Sequence, residues 1–217
     1  MKSKGLICGG LLLLAAALCL TLWNVRQDRA AAQSAQSALL EMKSRHPEPV
    51  AEPVPGAPDE DGGVPAESAE PEPPAYVTDP SMPMPVQEID GEGYIGILQI
   101  PDLALELPII GEWSYPRLRT APCRYVGSAY THDLIIAAHN YASHFGGLAS
   151  LALGSEVIFT DMDGNRFIYA VSGTEQLPGT AIEEMESGDW DLTLFTCTIG
   201  GAARVTVRCV LTAEEPA

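Results

Sequence analysis

The longest hydrophobic run in the chain lies near its start. Gly5 to Trp23 is a stretch of nineteen residues without a charge, rich in leucine and alanine. At about 1.5 Å per residue, such a helix is roughly 28 Å long, close to the hydrocarbon thickness of a bilayer. Lys2 and Lys4 precede the run, and Trp23 lies where an interfacial aromatic residue would. The pattern predicts an uncleaved membrane anchor, with a cleaved signal peptide ending near the alanines at 30–32 as the alternative.

The hydrophobic pattern fades after the anchor. Residues 27–45 still favour a short helix, but residues 47–85 hold twelve of the eighteen prolines, mixed with Glu, Ala, Asp and Gly. Such a composition cannot bury enough apolar surface to order itself. We therefore expect residues 1–29 to be the anchor with its flanks, and residues 30–88 to be a disordered extracellular linker. Extended at about 3.1 Å per residue, its proline-rich part reaches on the order of 100 Å, as a tether or a plain spacer.

From Tyr94 onward, apolar residues come in short runs separated by turn signals. The runs predicted as strands are 94–100, 103–110, 133–138, 157–160, 166–171, 192–196 and 204–211. Short helices are expected at 145–153 and 181–187, and Asp161–Asn165 is interpreted as a hairpin turn rather than a calcium loop. Many short strands with little helix are typical of a closed or nearly closed β-barrel. Residues 89–217 are therefore expected to form one mainly β domain with one hydrophobic core.

Charge narrows the possible partners. The chain has a net charge of −17, and residues 89–217 carry seventeen acidic residues against six arginines. An acidic surface repels nucleic acid phosphates and the anionic cytoplasmic leaflet of a membrane. We therefore expect no nucleic acid partner, and contact with membrane lipid only through residues 5–23.

Three cysteines lie in the predicted domain: Cys123, Cys197 and Cys209. An odd number in an exported domain leaves at least one thiol unpaired, which is a sign of a reactive cysteine. Cys197 is the candidate because it ends a predicted strand, directly before the turn-forming residues 198–201. A thiol at such a place is positioned rather than buried. The other two cysteines are interpreted as small, buried, hydrophobic side chains.

Two more reactive side chains lie at the ends of predicted strands. His139 ends the apolar run 134–138, and Arg204 opens the run 204–211. An imidazolium or guanidinium favours the reactive thiolate form of cysteine, and histidine can protonate a departing amine. A guanidinium can donate two hydrogen bonds to a carbonyl oxygen that becomes an oxyanion. The hypothesis is that Cys197 is the nucleophile, His139 the acid/base and Arg204 the transition-state stabiliser, without a cofactor or a metal ion.

Four neighbouring residues are further candidates. Thr196 is a candidate for the oxyanion site, although threonine is also simply common in strands. Asn140 is a candidate for orienting the preceding histidine, against a plain polar residue at a strand end. Two residues are alternatives to those already named: His144 as the base, and Arg208, on the same predicted strand face, as the arginine.

The motif around the cysteine resembles a known family. Residues 193–197, Thr-Leu-Phe-Thr-Cys, resemble the Thr-Leu-x-Thr-Cys signature of sortases, and Arg204 follows seven residues later at the head of the next strand. The segment Ile-Ile-Ala-Ala-His-Asn at 135–140 is similar to the histidine strand of the family. The similarity covers roughly residues 92–211, and the order of anchor, stalk, histidine, cysteine and arginine also agrees. It implies the eight-stranded sortase β-barrel, preceded by a transmembrane helix and a stalk.

The resemblance also implies a reaction. A Leu-Pro-x-Thr-Gly-like sorting signal would be cleaved between Thr and Gly through a thioacyl intermediate on Cys197, and the acyl group passed to an amine. Substrates would be signal-bearing surface proteins or pilins, the acceptor an amine such as a cell-wall precursor, and the location the outer face of a Gram-positive membrane. The segment 143–148 is reminiscent of class B enzymes, whereas the compact domain fits a housekeeping or class D-like enzyme equally well. A surface cysteine hydrolase and a non-catalytic stalked binding module are the alternatives.

Overall fold

The computed structural model describes residues 2–45 and 73–217, so residues 46–72 of the predicted linker lie outside the described part. Three α-helices are present in that part: α1 (Lys2–Arg45), α2 (Ala75–Thr78) and α3 (Ile182–Glu186). The strands are β1 (Gln87–Ile89), β2 (Glu92–Ile100), β3 (Leu105–Ile110), β4 (Cys123–Val126), β5 (Leu134–Ala138), β6 (Glu156–Asp161), β7 (Arg166–Pro178), β8 (Leu192–Cys197) and β9 (Ala203–Glu215). Short 3₁₀ turns occupy Pro101–Leu103, Arg117–Arg119 and Leu148–Ser150.

The strands form one sheet that closes on itself. Their order is β1-β2-β3-β4-β5-β8-β9-β7-β6, and β2 also pairs with β6. The eight strands from β2 to β9 therefore make a ring, to which β1 is attached only through β2. Two neighbouring pairs are parallel, β3 with β4 and β5 with β8. The eight-stranded β-barrel predicted from the sequence is confirmed.

Alternation along the strands decides which side chains fill the barrel. On β9, Val205, Val207 and Cys209 belong to the core cluster, as the period of two predicted. The opposite face of the same strand is not open to solvent, since Thr206 and Arg208 are also buried. The predicted outward direction holds, but other parts of the chain cover that face.

Several element boundaries differ from those expected. The helical turns expected at 145–153 reduce to the 3₁₀ turn Leu148–Ser150. Strand β7 continues to Pro178 because its second half pairs with β9. The turn that follows β6 is held by Asp161, a buried carboxylate that accepts hydrogen bonds from the backbone N–H groups of Asp163 and Asn165 and from the hydroxyl of Tyr130. Asp161–Asn165 is thus a turn stabilised by its own first residue.

Helix α1 extends far beyond the hydrophobic run. Its first part contains an exposed window with a mean hydropathy of 1.6, long and apolar enough to cross a membrane. Its second part has a buried face that recurs at heptad-like spacing, made of Ala31, Ala35, Ala38, Leu39 and Met42. Lys43 closes the contact with an ion pair of 2.7 Å to Glu106 on β3. Residues 30–45 therefore differ from the linker expected there, because small apolar residues on one helix face pack against the barrel.

The residues that follow the segment 46–72 also pack on the barrel. Tyr76 in α2 is buried and stacks on Tyr130 with ring centroids 4.6 Å apart. Directly before the segment, Arg45 donates a hydrogen bond to the carbonyl oxygen of Glu88. Residues 46–72 thus connect two points on the same folded body.

Candidate active site

Three strand ends meet at one edge of the barrel. In the parallel pair β5–β8, the last partners are Ala138 and Thr196, so His139 and Cys197 are the next residues on neighbouring strands. In the antiparallel pair β8–β9, Cys197 lies directly opposite Arg204. The structure therefore brings the three predicted residues together, at the same level of three adjacent strands. Alternation places Cys197 on the outer face of the barrel, two residues beyond Phe195.

A tight turn keeps Cys197 at the mouth of its strand. Gly200 and Gly201 both have positive φ angles, +88° and +75°, which glycine adopts without strain. Thr198 closes the turn, since its backbone N–H donates to the carbonyl of Ala203 at 2.9 Å and its Oγ1 accepts from the Ala203 N–H at 3.1 Å. The resulting Cys197 is a half-buried free thiol.

The other two cysteines of the barrel have a different environment. Cys123 and Cys209 are fully buried, in agreement with the packing role predicted for them. Burial raises the pKa of both thiols to about 12, so neither is a thiolate at neutral pH. Of the three cysteines in the barrel, Cys197 is the one placed for nucleophilic chemistry.

Thr196 ties the cysteine strand to the histidine strand. Its buried hydroxyl donates a hydrogen bond of 2.8 Å to the carbonyl oxygen of Ala138, the residue before His139. A threonine hydroxyl has one proton, which this bond uses. In this arrangement Thr196 fixes the relative height of the two strand ends and has no proton left for an oxyanion.

His139 is half-buried and packs against an aromatic neighbour. Its ring centroid lies 4.9 Å from that of Tyr141. Burial lowers the pKa of His139, and the positive charge of Arg119 in the 3₁₀ turn Arg117–Arg119 lowers it further. Asn140, predicted as an orienting residue, is exposed and makes no side-chain hydrogen bond to the residues that the structure describes. Tyr141 and Arg119 are neighbours that the sequence reasoning missed, although Tyr141 follows His139 by only two positions.

His144, the alternative base, lies inside the protein rather than in an open polar loop. It is fully buried, and neither ring nitrogen has a hydrogen-bond partner among the described residues. Burial lowers the pKa of His144 to about 4, an effect reinforced by the charge of His139 and opposed by that of Asp28. A buried neutral imidazole has no route to a substrate, so His139 is the better placed base.

Arg204 lies over the turn that follows Cys197. Its Nη1 donates to the carbonyl oxygens of Gly201, at 3.1 Å, and Ala203, at 3.2 Å. Its Nε and Nη2 make no hydrogen bond within residues 2–45 and 73–217, and the side chain is half-buried. The guanidinium lies against Gly179, just past the end of β7, on the side of β9 away from Cys197. It must turn toward β8 for these two nitrogens to reach a carbonyl oxygen bound beside Cys197.

Arg208, the alternative arginine, is occupied by the protein itself. Its side chain is buried, and its guanidinium donates to four acceptors: Oε1 of Glu175, Oγ1 of Thr193 and the backbone carbonyls of Glu184 and Met185. Two of these acceptors belong to α3, which covers this part of the barrel. Arg208 therefore does not substitute for Arg204.

A row of aromatic side chains leads away from Cys197 along the outer face. Phe195 meets Tyr125 edge-on at 5.5 Å, and Tyr125 lies 5.6 Å from Trp113. Trp113 and Tyr125 line a cavity of about 440 Å³ together with Arg124 and Val126. The row forms an open surface that begins two residues before the candidate nucleophile, and the charged residues Glu112 and Arg124 line it beside the aromatic rings.

Comparison with known proteins identifies the class. A family model of the sortase domain matches residues 98–215, which is more than half of the chain. The chain therefore belongs to the sortase family, a family of cysteine transpeptidases, and the prediction made from the sequence is confirmed.

Solved structures agree at the level of the fold. Sortase C1 from Streptococcus agalactiae is 21% identical over 59% of this chain and 72% of its own, with a TM-score of 0.50. Sortase A from Corynebacterium diphtheriae is 19% identical over 58% of this chain and 63% of its own, with a TM-score of 0.51. Such similarity shows the sortase fold and does not single out a class. No curated protein matches the chain by sequence.

Proposed function

We propose that this protein is a transpeptidase in which Cys197 is the nucleophile, His139 the acid/base and Arg204 the oxyanion stabiliser. The observation that carries the proposal is the strand register. It sets Cys197 opposite Arg204 and one step beyond the pair that precedes His139. The hydroxyl of Thr196 supports this register by joining the two strands at that level.

The reaction follows from this arrangement. The Cys197 thiolate attacks a peptide carbonyl carbon, and the electron pair of the C=O bond moves to the oxygen, where Nε and Nη2 of Arg204 donate hydrogen bonds. Collapse of the intermediate breaks the C–N bond, and His139 gives its proton to the leaving amine. An acceptor amine then attacks the thioester and loses a proton to His139, which restores the thiolate and imidazolium.

The substrate and location belong to the same proposal. We infer that the acyl donor is a Leu-Pro-x-Thr-Gly-like signal on surface proteins or pilins, and that the acceptor is an amine of a cell-wall precursor. The aromatic row beside Cys197 suits an extended peptide with apolar residues. The apolar part of α1 supports a single-pass anchor through residues 5–23. We infer that residues 30–217 lie outside a Gram-positive membrane, the side on which signal-bearing surface proteins and cell-wall precursors are found.

A surface cysteine hydrolase is the second candidate, because the exposed Gly200–Gly201 turn beside Cys197 leaves the acyl group accessible to water. Mass spectrometry of the purified protein with sorting peptides, with and without an added amine, separates the possibilities. We expect an acyl adduct on Cys197 and a peptide–amine product when the amine is present. Release of the free acid alone, even with amine in excess, would show a hydrolase. Absence of any adduct across the peptide panel would contradict both and favour a binding module.

A further inference from the structure

The anchor helix contacts the loop that carries the catalytic histidine. We call residues 139–147 the His139 loop. Tyr141 in this loop donates a hydrogen bond of 3.0 Å from its hydroxyl to Oε1 of Gln27. Ser143 donates to Oδ1 of Asp28 twice, from its backbone N–H at 3.1 Å and from its hydroxyl at 2.5 Å. These contacts join residues 114 and 115 positions apart in the sequence.

The contacts reach His139 through short connections. Tyr141 is held at both ends, because its hydroxyl binds Gln27 and its ring packs 4.9 Å from the ring of His139. The loop is also closed on itself, since the N–H of Phe145 donates to the carbonyl of His139 at 3.2 Å. A shift of Ser143 or Tyr141 would therefore move His139.

The position of Asp28 is set by the docking of the helix. Asp28 is half-buried and lies one helical turn before Ala31, the first residue of the buried face of α1. Residues three or four positions apart share a helix face, so Gln27 and Asp28 continue the face that packs against the barrel. A carboxylate that accepts a backbone N–H and a hydroxyl is a charge-assisted acceptor, stronger than a neutral one.

We propose that Asp28, assisted by Gln27, is a positioning residue for His139. Gln27 and Asp28 lie on the turn of α1 directly before its buried face. Through Ser143 and Tyr141 this turn fixes the His139 loop, and thereby the direction of the imidazole. This inference rests on the proposed function of His139 as acid/base. It makes α1 a part of the active-site framework in addition to an anchor.

The test uses the full chain in lipid nanodiscs and three variants. Asp28→Ala removes the carboxylate acceptor and leaves only the main-chain carbonyl of residue 28, which lies 3.3 Å from the Ser143 hydroxyl. Asp28→Asn keeps a side-chain oxygen for the Ser143 N–H, and Arg29→Ala changes an exposed neighbour as the control. Catalysis is measured with a Leu-Pro-x-Thr-Gly peptide, and melting temperature on the same samples. Since misplacing a catalytic group by about 1 Å can cost roughly 10²-fold, we expect kcat of Asp28→Ala to fall about 10- to 100-fold with KM within about twofold. Asp28→Asn should recover most of this loss, and Arg29→Ala should match the wild type.

A role limited to holding the helix gives a different result. Asp28→Ala would then melt at a lower temperature but turn over at the wild-type rate in the cold, and that outcome would overturn the inference. Should Asp28→Ala fail to fold, Ser143→Ala replaces it. That variant keeps the backbone hydrogen bond to Asp28 and loses the hydroxyl, so a smaller fall in kcat is expected and an unchanged kcat contradicts the proposal.

A second readout separates this inference from the proposed function. Alkylation of Cys197 by iodoacetamide, followed by mass spectrometry of the Cys197 peptide, needs no sorting peptide. The pKa of His139 is lowered in the fold, so near neutral pH its neutral ring can accept the proton of the Cys197 thiol as a general base. A displaced His139 should therefore slow alkylation near neutral pH about tenfold, toward the rate of His139→Ala. Slower alkylation in Asp28→Ala, with no peptide cleavage by the wild type, would reject the proposed function and keep the positioning role. Wild-type cleavage together with unchanged alkylation and kcat in Asp28→Ala would reject the positioning role alone.

Discussion

The two ends of the β8–β9 ladder carry similar side chains in different surroundings. At one end Cys197 faces Arg204, and four residues earlier on the same face of β8 Thr193 faces Arg208. The end with Thr193 and Arg208 is covered by α3 and by Glu175 of β7, which supply hydrogen-bond acceptors to Arg208. The end with Cys197 and Arg204 lies next to the glycine turn. Within the described residues, Arg204 donates side-chain hydrogen bonds there only through Nη1.

The difference shows how one strand serves both structure and chemistry. An arginine that uses four of its five N–H donors inside the protein, as Arg208 does, stabilises the fold, because removing it leaves buried acceptors unpaired. An arginine with unused donors beside a nucleophile can bind a developing negative charge. The strand supplies the direction of both side chains, and the cover supplied by α3 decides their roles.

The largest effect is expected at the nucleophile. Cys197→Ala should abolish acylation and turnover without loss of stability, because the half-buried thiol contributes little packing. Cys209→Ala is the matched change in the closed part of the barrel, where it should lower stability and keep turnover at low temperature. Intact-mass detection of the acyl adduct and thermal melting check both variants. Normal turnover by Cys197→Ala would end the proposed function.

Arg204→Ala tests the open end of the ladder. Loss of one oxyanion donor typically costs roughly 10²–10³ in kcat, so we expect a fall of that size with a smaller change in KM. Arg204→Lys keeps the charge but loses the planar fork and should recover little. Single-turnover acylation and melting temperature are measured on the same sample. A destabilised Arg204→Ala that acylates at the wild-type rate would remove Arg204 from the site.

Arg208→Ala is the corresponding change at the closed end. It leaves the hydroxyl of Thr193 and the carbonyls of Glu184 and Met185 without their donor. We expect a loss of about 2–3 kcal/mol in the free energy of unfolding, since Glu175, its ionic partner, is half-exposed. Urea unfolding gives this number, and turnover in the cold should stay near that of the wild type. A kcat loss comparable to that of Arg204→Ala would erase the distinction between the two ends.

The smallest expected effect is on the pH dependence of stability, and it comes from His144, the buried histidine of the His139 loop. The pKa of His144 is about 4 in the fold against about 6.5 in an unfolded chain, so as the pH falls below 6.5 the unfolded state takes up the proton first. Stability should therefore fall between about pH 6.5 and pH 4. His144→Phe keeps a ring and removes the titration, so its advantage over the wild type should grow by about 2 kcal/mol from pH 7.5 to pH 5. Parallel unfolding curves at the two pH values, with an unchanged difference, would contradict the burial of a neutral His144.

Local sequence patterns located the candidate triad. Cys197, His139 and Arg204 each end or begin an apolar run, and the glycines after Cys197 mark where its strand stops. A residue at the end of a barrel strand lies at the rim of the barrel whichever strands are its neighbours. The local pattern was therefore enough to name these residues as candidates. The pairing of β5 with β8, which brings the residues together, came from the family resemblance.

Features that depend on distant parts of the chain were not predictable in the same way. Alternation placed Arg208 on the same strand face as Arg204, and the packing of α3 on Arg208 is what separates their roles. His144 stands in a glycine-rich polar segment and is nevertheless buried. The buried face of α1 is made largely of alanines, which give a weak hydrophobic signal, and its contacts with Tyr141 and Ser143 have no trace in either segment alone.

Because α1 is one continuous helix, it sets the distance between the membrane surface and the His139 loop. A helix rises about 1.5 Å per residue, so Asp28 lies only about 8 Å along the axis from Trp23, the end of the apolar run. With residues 5–23 in the bilayer as proposed, the His139 loop would be held next to the lipid headgroups, and amines borne by lipids would be within its reach. Residues 46–72 connect two points on the barrel, so inserting or deleting residues there leaves the elevation of the catalytic groups above the membrane unchanged.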